Sequence, residues 1–231
     1  MEPAIIRTAD GSDTLFCREL NQHYHSTFGA VQESQHIYIE TGFLYMMEKF
    51  QLKSGHGEKF IKILEIGFGT GLNALLTQAE AEKQGIRVHY TAVEPFPLDE
   101  HCWRALNYTH LPGSIDHPQT FADLHLSSWN KPAEISPHFL LHKIHGTMEA
   151  FSPESGVFGL IYFDAFSPDA QPELWTEQVF EKLGNALHPG GNLVTYSVKG
   201  TVVRALRKAG FKVEKLPGPP GKRHILRALK S

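Results

Sequence analysis

Residues 63–75 read ILEIGFGTGLNAL, and no other segment restricts the fold as tightly. A strand-like apolar run, Ile61 to Ile66, passes directly into three glycines, Gly67, Gly69 and Gly71. Apolar residues then recur at helical spacing, which predicts a helix over Leu72 to Gln84. Strand, glycine loop and helix in immediate succession open an α/β unit in which the backbone can turn tightly and approach a ligand closely. The first turn of such a helix offers free N–H groups. A dinucleotide fingerprint needs G-x-G-x-x-G, but here the third glycine arrives one place early and position 72 is Leu. A P-loop needs Gly-Lys-Ser/Thr, which is absent. Glu65, two residues before the first glycine, suits a cationic ligand end better than a pyrophosphate.

The alternation continues through the chain. Val88 to Val93 reads as a strand ending at Glu94, Leu98 to Leu106 as a helix, and Phe139 to Ile144 and Leu160 to Asp164 as strands. Thr176 to Leu187 predicts a helix closed by HPGG, Asn192 to Ser197 a strand, and Val202 to Ala209 a helix with Gly210 at its end. Phe211 to Leu216 and His224 to Ala228 read as two final strands. This spacing predicts a Rossmann-like, doubly wound α/β domain with a mainly parallel sheet, whose ligands sit beyond the carboxyl ends of the strands. The 231 residues suffice for one such domain, placed at 46–231 behind an N-terminal extension, residues 1–45. In the extension, Thr14 to Cys17 and His36 to Ile39 look strand-like, and residues 43–52 look helical. Residues 107–138 suggest a helix and a variable loop.

Composition sets the class. At 41% apolar and 20% charged residues the chain reads as soluble and globular, without a membrane-length apolar run or a signal-peptide pattern, so a cytoplasmic location is expected. Cys17 and Cys102 form no disulfide framework. There are 14 histidines, but no HExxH occurs and His23 and His25 lie too close together, so no metal site is expected.

Several side chains carry candidate chemistry. A cationic ligand with both an amino group and a sulfonium is S-adenosylmethionine, and the pattern Glu65-x-Gly67-x-Gly69-x-Gly71 resembles motif I of the class I methyltransferases. Glu94, at the end of the second strand, is placed to accept hydrogen bonds from ribose hydroxyls. Thr147 and Met148 follow the third strand, where such enzymes place adenine contacts. Asp164 closes the fourth strand on the same crevice, where a carboxylate can orient an amine nucleophile and accept its proton. Phe166 and Trp175, in the stiff loop that follows, are candidate base-stacking rings.

Charge is divided unevenly. Net charge is −3, yet residues 199–231 hold ten basic side chains and one acid, +9, while the rest of the chain is −12. A basic tail of this kind reads either as a solvated face or as a phosphate-contacting surface.

Taken together, YHSTFGAVQESQHIYIETG (24–42), LEIGFGTGLNAL (64–75), YFDAFSPDAQPELWTEQVF (162–180), HPGGNLVTYSVKGTVVRALRKAGF (188–211) and GPPGKRHILRA (218–228) resemble the methyltransferase domain of the MnmC family. The resemblance covers nearly the whole chain and is weakest over 107–138. It implies N-methylation of the 5-aminomethyl group of the wobble uridine, often 2-thiolated, in tRNA, giving 5-methylaminomethyl-uridine. It implies cofactor roles for Glu65, Gly67, Gly69, Gly71 and Glu94, and places Asp164 beside the transferred methyl. Tyr24 and Glu33 would lie against the site, and Lys222 and Arg223 would help hold the anticodon arm. Bifunctional relatives add a flavin-dependent oxidase; this chain has no second glycine fingerprint, so a stand-alone methyltransferase without flavin is expected, acting after the enzymes that install the aminomethyl group.

Two other readings compete. Polyamine aminopropyltransferases share the YH-containing N-terminal segment, the glycine loop and an Asp after the fourth strand, but bind cationic amines and need more acids in the pocket. The basic tail argues against them. A non-catalytic cofactor-binding module is the second, and Asp164 argues against it.

Overall fold

The computed structural model describes residues 3–51, 60–110 and 118–230. A small antiparallel meander comes first: β1 (Ala4–Arg7), β2 (Asp13–Cys17) and β3 (Gln22–His23). It is followed by one continuous helical run, α1 (Ala30–Ser34), a π-helix (Gln35–Leu44) and α2 (Tyr45–Lys49). The loop before β2 caps this run. Asp10 accepts from the Gln32 N–H, and the Ser12 hydroxyl accepts from the Ala30 N–H, so two free donors of the first turn are satisfied.

The strand expected over His36 to Ile39 is therefore a helix. Its β-branched, apolar pattern reflects burial: Ile37, Tyr38, Ile39 and Phe43 are all inside, and packing overrides local preference. Gly42 permits the close approach, since a Cβ there would lie 3.1 Å from Val194 and 3.2 Å from Tyr162 on the sheet beneath. The helical run crosses residues 45 and 46, so the line between extension and main domain falls within it. Position 52 of the expected 43–52 helix lies outside the described residues.

The main sheet has eight strands. In chain order they are β4 (Phe60–Ile66), β5 (Arg87–Glu94), β6 (Pro132–Ser136), β7 (Phe139–His145), β8 (Phe158–Phe163), β9 (Leu187–Thr195), β10 (Phe211–Pro217) and β11 (His224–Lys230). Their spatial order is β10-β11-β9-β8-β4-β5-β7-β6. The five central strands are parallel, and antiparallel strands close both edges. The order reverses at β4, and there ligands of open α/β sheets bind.

Alternation along each strand divides the core between two faces. Ile61, Ile63, Tyr90, Leu141 and Tyr162 pack under the helical run, α3 (Leu72–Gln84) and α5 (Pro118–Leu126). Leu64, Ile66, Ile161, Phe163 and Leu193 pack under α6 (Glu177–Ala186) and α7 (Gly200–Lys208). The expected helix over Leu98 to Leu106 shortens to α4 (Glu100–Arg104). The prolines of EPFPLDE delay its start. Gly210, at φ 87°, ends α7. Residues 107–138, expected to hold a helix and a variable loop, contribute α5 and the edge strand β6. Among the described residues no helix is long and apolar enough to cross a membrane.

Candidate active site

A cavity of about 830 Å³ opens at the carboxyl ends of β4, β5 and β8. Its floor is the turn after β4. Gly67 sits at φ 93°, donates its N–H to Val93 O, and lies so close to the next turn that a Cβ would come within 2.8 Å of Asp164 O. Gly71, at φ 73°, precedes α3, and a Cβ there would be 2.9 Å from His125 Nε2. Both positions need the positive φ that glycine alone adopts freely.

Two histidines hold Thr70 between these glycines. His125, on α5, lies flat on Trp103 with centroids 4.6 Å apart, and its Nε2 is 3.0 Å from Thr70 O. A carbonyl only accepts, so this nitrogen carries the proton. His25, just after β3, bonds through its ring to the Thr14 hydroxyl, and its Nε2 lies 3.5 Å from the Thr70 hydroxyl. Burial depresses their pKa values to about 4 for His25 and about 3 for His125, so both are neutral. Glu94 completes this wall. One carboxylate oxygen accepts from the Gly69 N–H at 3.0 Å, the other from Phe96 N–H at 2.8 Å, and burial raises its pKa. Each oxygen keeps a lone pair for a ribose hydroxyl.

The opposite wall is ionic. Asp164 follows β8 and is gripped from both sides: the Tyr38 hydroxyl donates to Oδ1 at 2.5 Å, and Asn73 Nδ2 donates to Oδ2 at 2.8 Å. Burial pushes its pKa up to about 7, against the two donors that favour the anion. The same Asn73 amide donates to Glu65 at 2.9 Å. Glu33 lies nearby on α1, taking the Ser26 N–H at 2.6 Å and pairing with Lys222 at 3.2 Å. Lys222 also stands 4.7 Å over the Tyr196 ring, and Tyr196 bonds to Ala165 O.

Most residues expected from the sequence meet here. Tyr24, Glu33, Gly67, Gly69, Glu94, Thr147, Met148, Asp164, Phe166 and Lys222 all border the cavity. Two expectations are corrected. Glu65 does not border the cavity: the strand's alternation turns it, with Ile61 and Ile63, to the face under α3, where it is buried behind Asn73 and burial raises its pKa well above normal. Trp175 is no stacking ring. It ends a short 3-10 turn (Pro172–Trp175), is buried against Phe163, and donates to Phe166 O at 2.9 Å, bracing the Asp164 loop from below. The basic tail is also less free than its count. Lys199, Lys208, Lys212, Lys222 and Arg227 pair with acids, which leaves Arg204, Arg207, Lys215 and Arg223 exposed and without an ion pair among the described residues.

Sequence reasoning passed over Tyr38, Asn73, His25 and His125. Tyr38 stood in a segment taken as extended, and Asn73 looked like an ordinary helix residue. The arrangement fits S-adenosylmethionine: a glycine turn packed too tightly against Asp164, Tyr24 and His125 to admit a Cβ, an acid with free lone pairs beside it, and room for an acceptor next to Asp164.

A family model described as S-adenosyl-L-methionine-dependent methyltransferase matches residues 140–231. Proteins called tRNA 5-methylaminomethyl-2-thiouridine biosynthesis bifunctional protein MnmC are similar over most of the chain. The one from Leptospira interrogans is 33% identical over 225 residues, covering 92% of this chain and 33% of that protein. The one from Magnetococcus marinus is 29% identical over 242 residues, covering 97% and 34%. The chain thus spans about a third of the length of these curated relatives. The crystal structure of MnmC2 from Aquifex aeolicus matches with a TM-score of 0.78 at 26% identity, covering 98% of this chain and 70% of that one. A probable spermidine synthase from Corynebacterium glutamicum, at TM-score 0.52 and 16% identity over 99% of this chain and 77% of that one, shares the fold alone. Fold, glycine loop and relatives agree: the chain has the fold of the S-adenosyl-L-methionine-dependent methyltransferases, matches their family model over residues 140–231, and is similar over most of its length to the MnmC-named proteins.

Proposed function

We propose that this enzyme methylates the primary amine of a 5-aminomethyl group on the wobble uridine of tRNA, giving 5-methylaminomethyl-uridine. The observation that carries the reading is Asp164, a half-buried residue on the acceptor wall whose carboxyl is held by Tyr38 and Asn73 and pushed up to a pKa of about 7. An amine acceptor needs such a group, because it must lose a proton to become a neutral methylamine. The names of the relatives and the tail cations that are exposed without an ion pair among the described residues, Arg204, Arg207, Lys215 and Arg223, support tRNA as the carrier of that amine.

S-adenosylmethionine supplies an electrophilic methyl on its sulfonium. Glu94 and the 67–71 backbone would hold the cofactor, and Thr147 and Met148, which border the same cavity, would be available to its adenine. Asp164 orients the amine and takes the proton released as the nitrogen–carbon bond forms and the carbon–sulfur bond breaks. Tyr38 and Asn73 fix the carboxylate so that it faces the amine in one orientation. Water then removes the proton from Asp164.

A polyamine acceptor is less well served. Glu33, the second acid on this wall, pairs with Lys222, and the relatives similar over most of the chain carry tRNA-modification names, whereas the probable spermidine synthase shares the fold alone. A tRNA substrate would also place the enzyme in the cytoplasm, downstream of whatever installs the aminomethyl group. The test is to incubate the protein with radiolabelled S-adenosylmethionine and bulk tRNA from cells lacking it, then identify the labelled nucleoside. Label in 5-methylaminomethyl-uridine species supports the reading. Label in polyamines and none in RNA overturns it.

A further inference from the structure

Among the described residues, Phe28 and Phe96 are the two large apolar side chains that are both well exposed and on the cavity rim. Phe96 belongs to the cofactor wall, since its N–H binds Glu94. Phe28 belongs to the acceptor wall. Its N–H bonds to the Ser26 hydroxyl, and Ser26 in turn donates its N–H to Glu33. The ring rests on Gly221, where any Cβ would come within 2.3 Å of it. Gly221 (φ 82°) therefore lets the C-terminal loop seat the ring from one side, while 55% of Phe28 stays exposed. The next residue, Lys222, points inward to Glu33. Arg223 is exposed, with no ion pair among the described residues. An aromatic ring backed on one side and open on the other, seated on a loop that carries an exposed guanidinium two residues further on, offers a π-face and a cation on the same rim. A nucleotide presents the matching base face and phosphate.

We propose that Phe28 is the stacking seat for a base that flanks the modified nucleotide, with Arg223 holding an adjoining phosphate. This rests on the tRNA reading above. It replaces the stacking role that the buried Trp175 cannot fill, and it gives the C-terminal loop a purpose beyond pairing with Glu33.

Fluorescence anisotropy with an anticodon stem-loop RNA tests it, using wild type, Phe28→Ala, Phe28→Trp and Arg223→Ala. Two further RNAs carry an abasic site on one or the other side of the wobble nucleotide. We expect Phe28→Ala to weaken binding of the intact RNA about ten-fold, and Phe28→Trp to restore it. With one of the two abasic RNAs, wild type and Phe28→Ala should bind alike. Arg223→Ala should lower the salt slope by about one. The seat is overturned if Phe28→Ala binds intact RNA as wild type does, or if its deficit persists with both abasic RNAs. Failure of the wild type to bind the intact RNA removes the tRNA reading itself, a result read without any variant.

Discussion

The two walls of the cavity are built from opposite materials. The cofactor wall is mostly backbone and neutral side chains, with one titratable exception: the glycine turn, Thr70 and two histidines that burial keeps uncharged, closed by Glu94, whose two oxygens are held by the Gly69 and Phe96 N–H groups. The acceptor wall concentrates charge and titratable groups: Asp164, Glu33, Lys222 and, behind them, Glu65. The contrast follows from what each wall must do. A wall that only binds gains by being rigid and insensitive to pH, since preorganised dipoles cost nothing to reorient. A wall that moves a proton needs a group whose charge can change, and burial tunes that group toward neutrality.

Breaking each wall separately should therefore give separate symptoms. The largest effect is expected from Asp164→Asn, which should lower kcat by about 10² to 10⁴-fold while leaving the cofactor Kd, read by calorimetry, within about two-fold. A comparable loss of cofactor binding would mean the walls are not independent. Removing the carboxyl should also change stability with a definite sign. Its pKa is near 7 in the fold against 3.8 when free, so ionising it costs stability as pH rises through that window. The variant should thus melt higher than wild type at pH 8, with the gain fading toward pH 4.

Gly71→Ala attacks the other wall. The positive φ and the collision with His125 should raise the cofactor Kd about ten-fold, with little change in kcat at saturation. A fall in kcat without a rise in Kd would contradict the division.

Tyr38→Phe sharpens the comparison. It removes a donor that favours the Asp164 anion, so the acidic limb of the kcat profile should move upward by about one pH unit. A merely structural tyrosine would lower the rate without shifting the limb.

The smallest effect tests the neutral histidines. Free histidine titrates near 6.5, so between about pH 6.5 and 4 the unfolded chain takes protons that the fold refuses, and stability falls with pH. His125→Gln keeps a donor for Thr70 and should flatten the dependence of Tm on pH in that window. An unchanged slope would show that His125 is not buried neutral.

The same contrast explains what could be read from the sequence. The cofactor wall is local: β4, glycine loop and α3 are contiguous, and the predicted helix Leu72 to Gln84 coincides with α3. Glu94 sits one strand later at a spacing that the βαβ unit imposes. Asp164 was legible for the same reason, as a strand end on a parallel sheet. The tertiary structure alone decided the company these residues keep. Tyr38 reaches Asp164 only because Gln35–Leu44 winds as a π-helix over the sheet. Phe28 meets Gly221 across nearly the whole chain, and half the basic tail is neutralised by acids that sequence distance hides. Periodicity records which face of an element is apolar; it carries no information about which distant side chain will close a hydrogen bond or an ion pair, because folding sets that geometry.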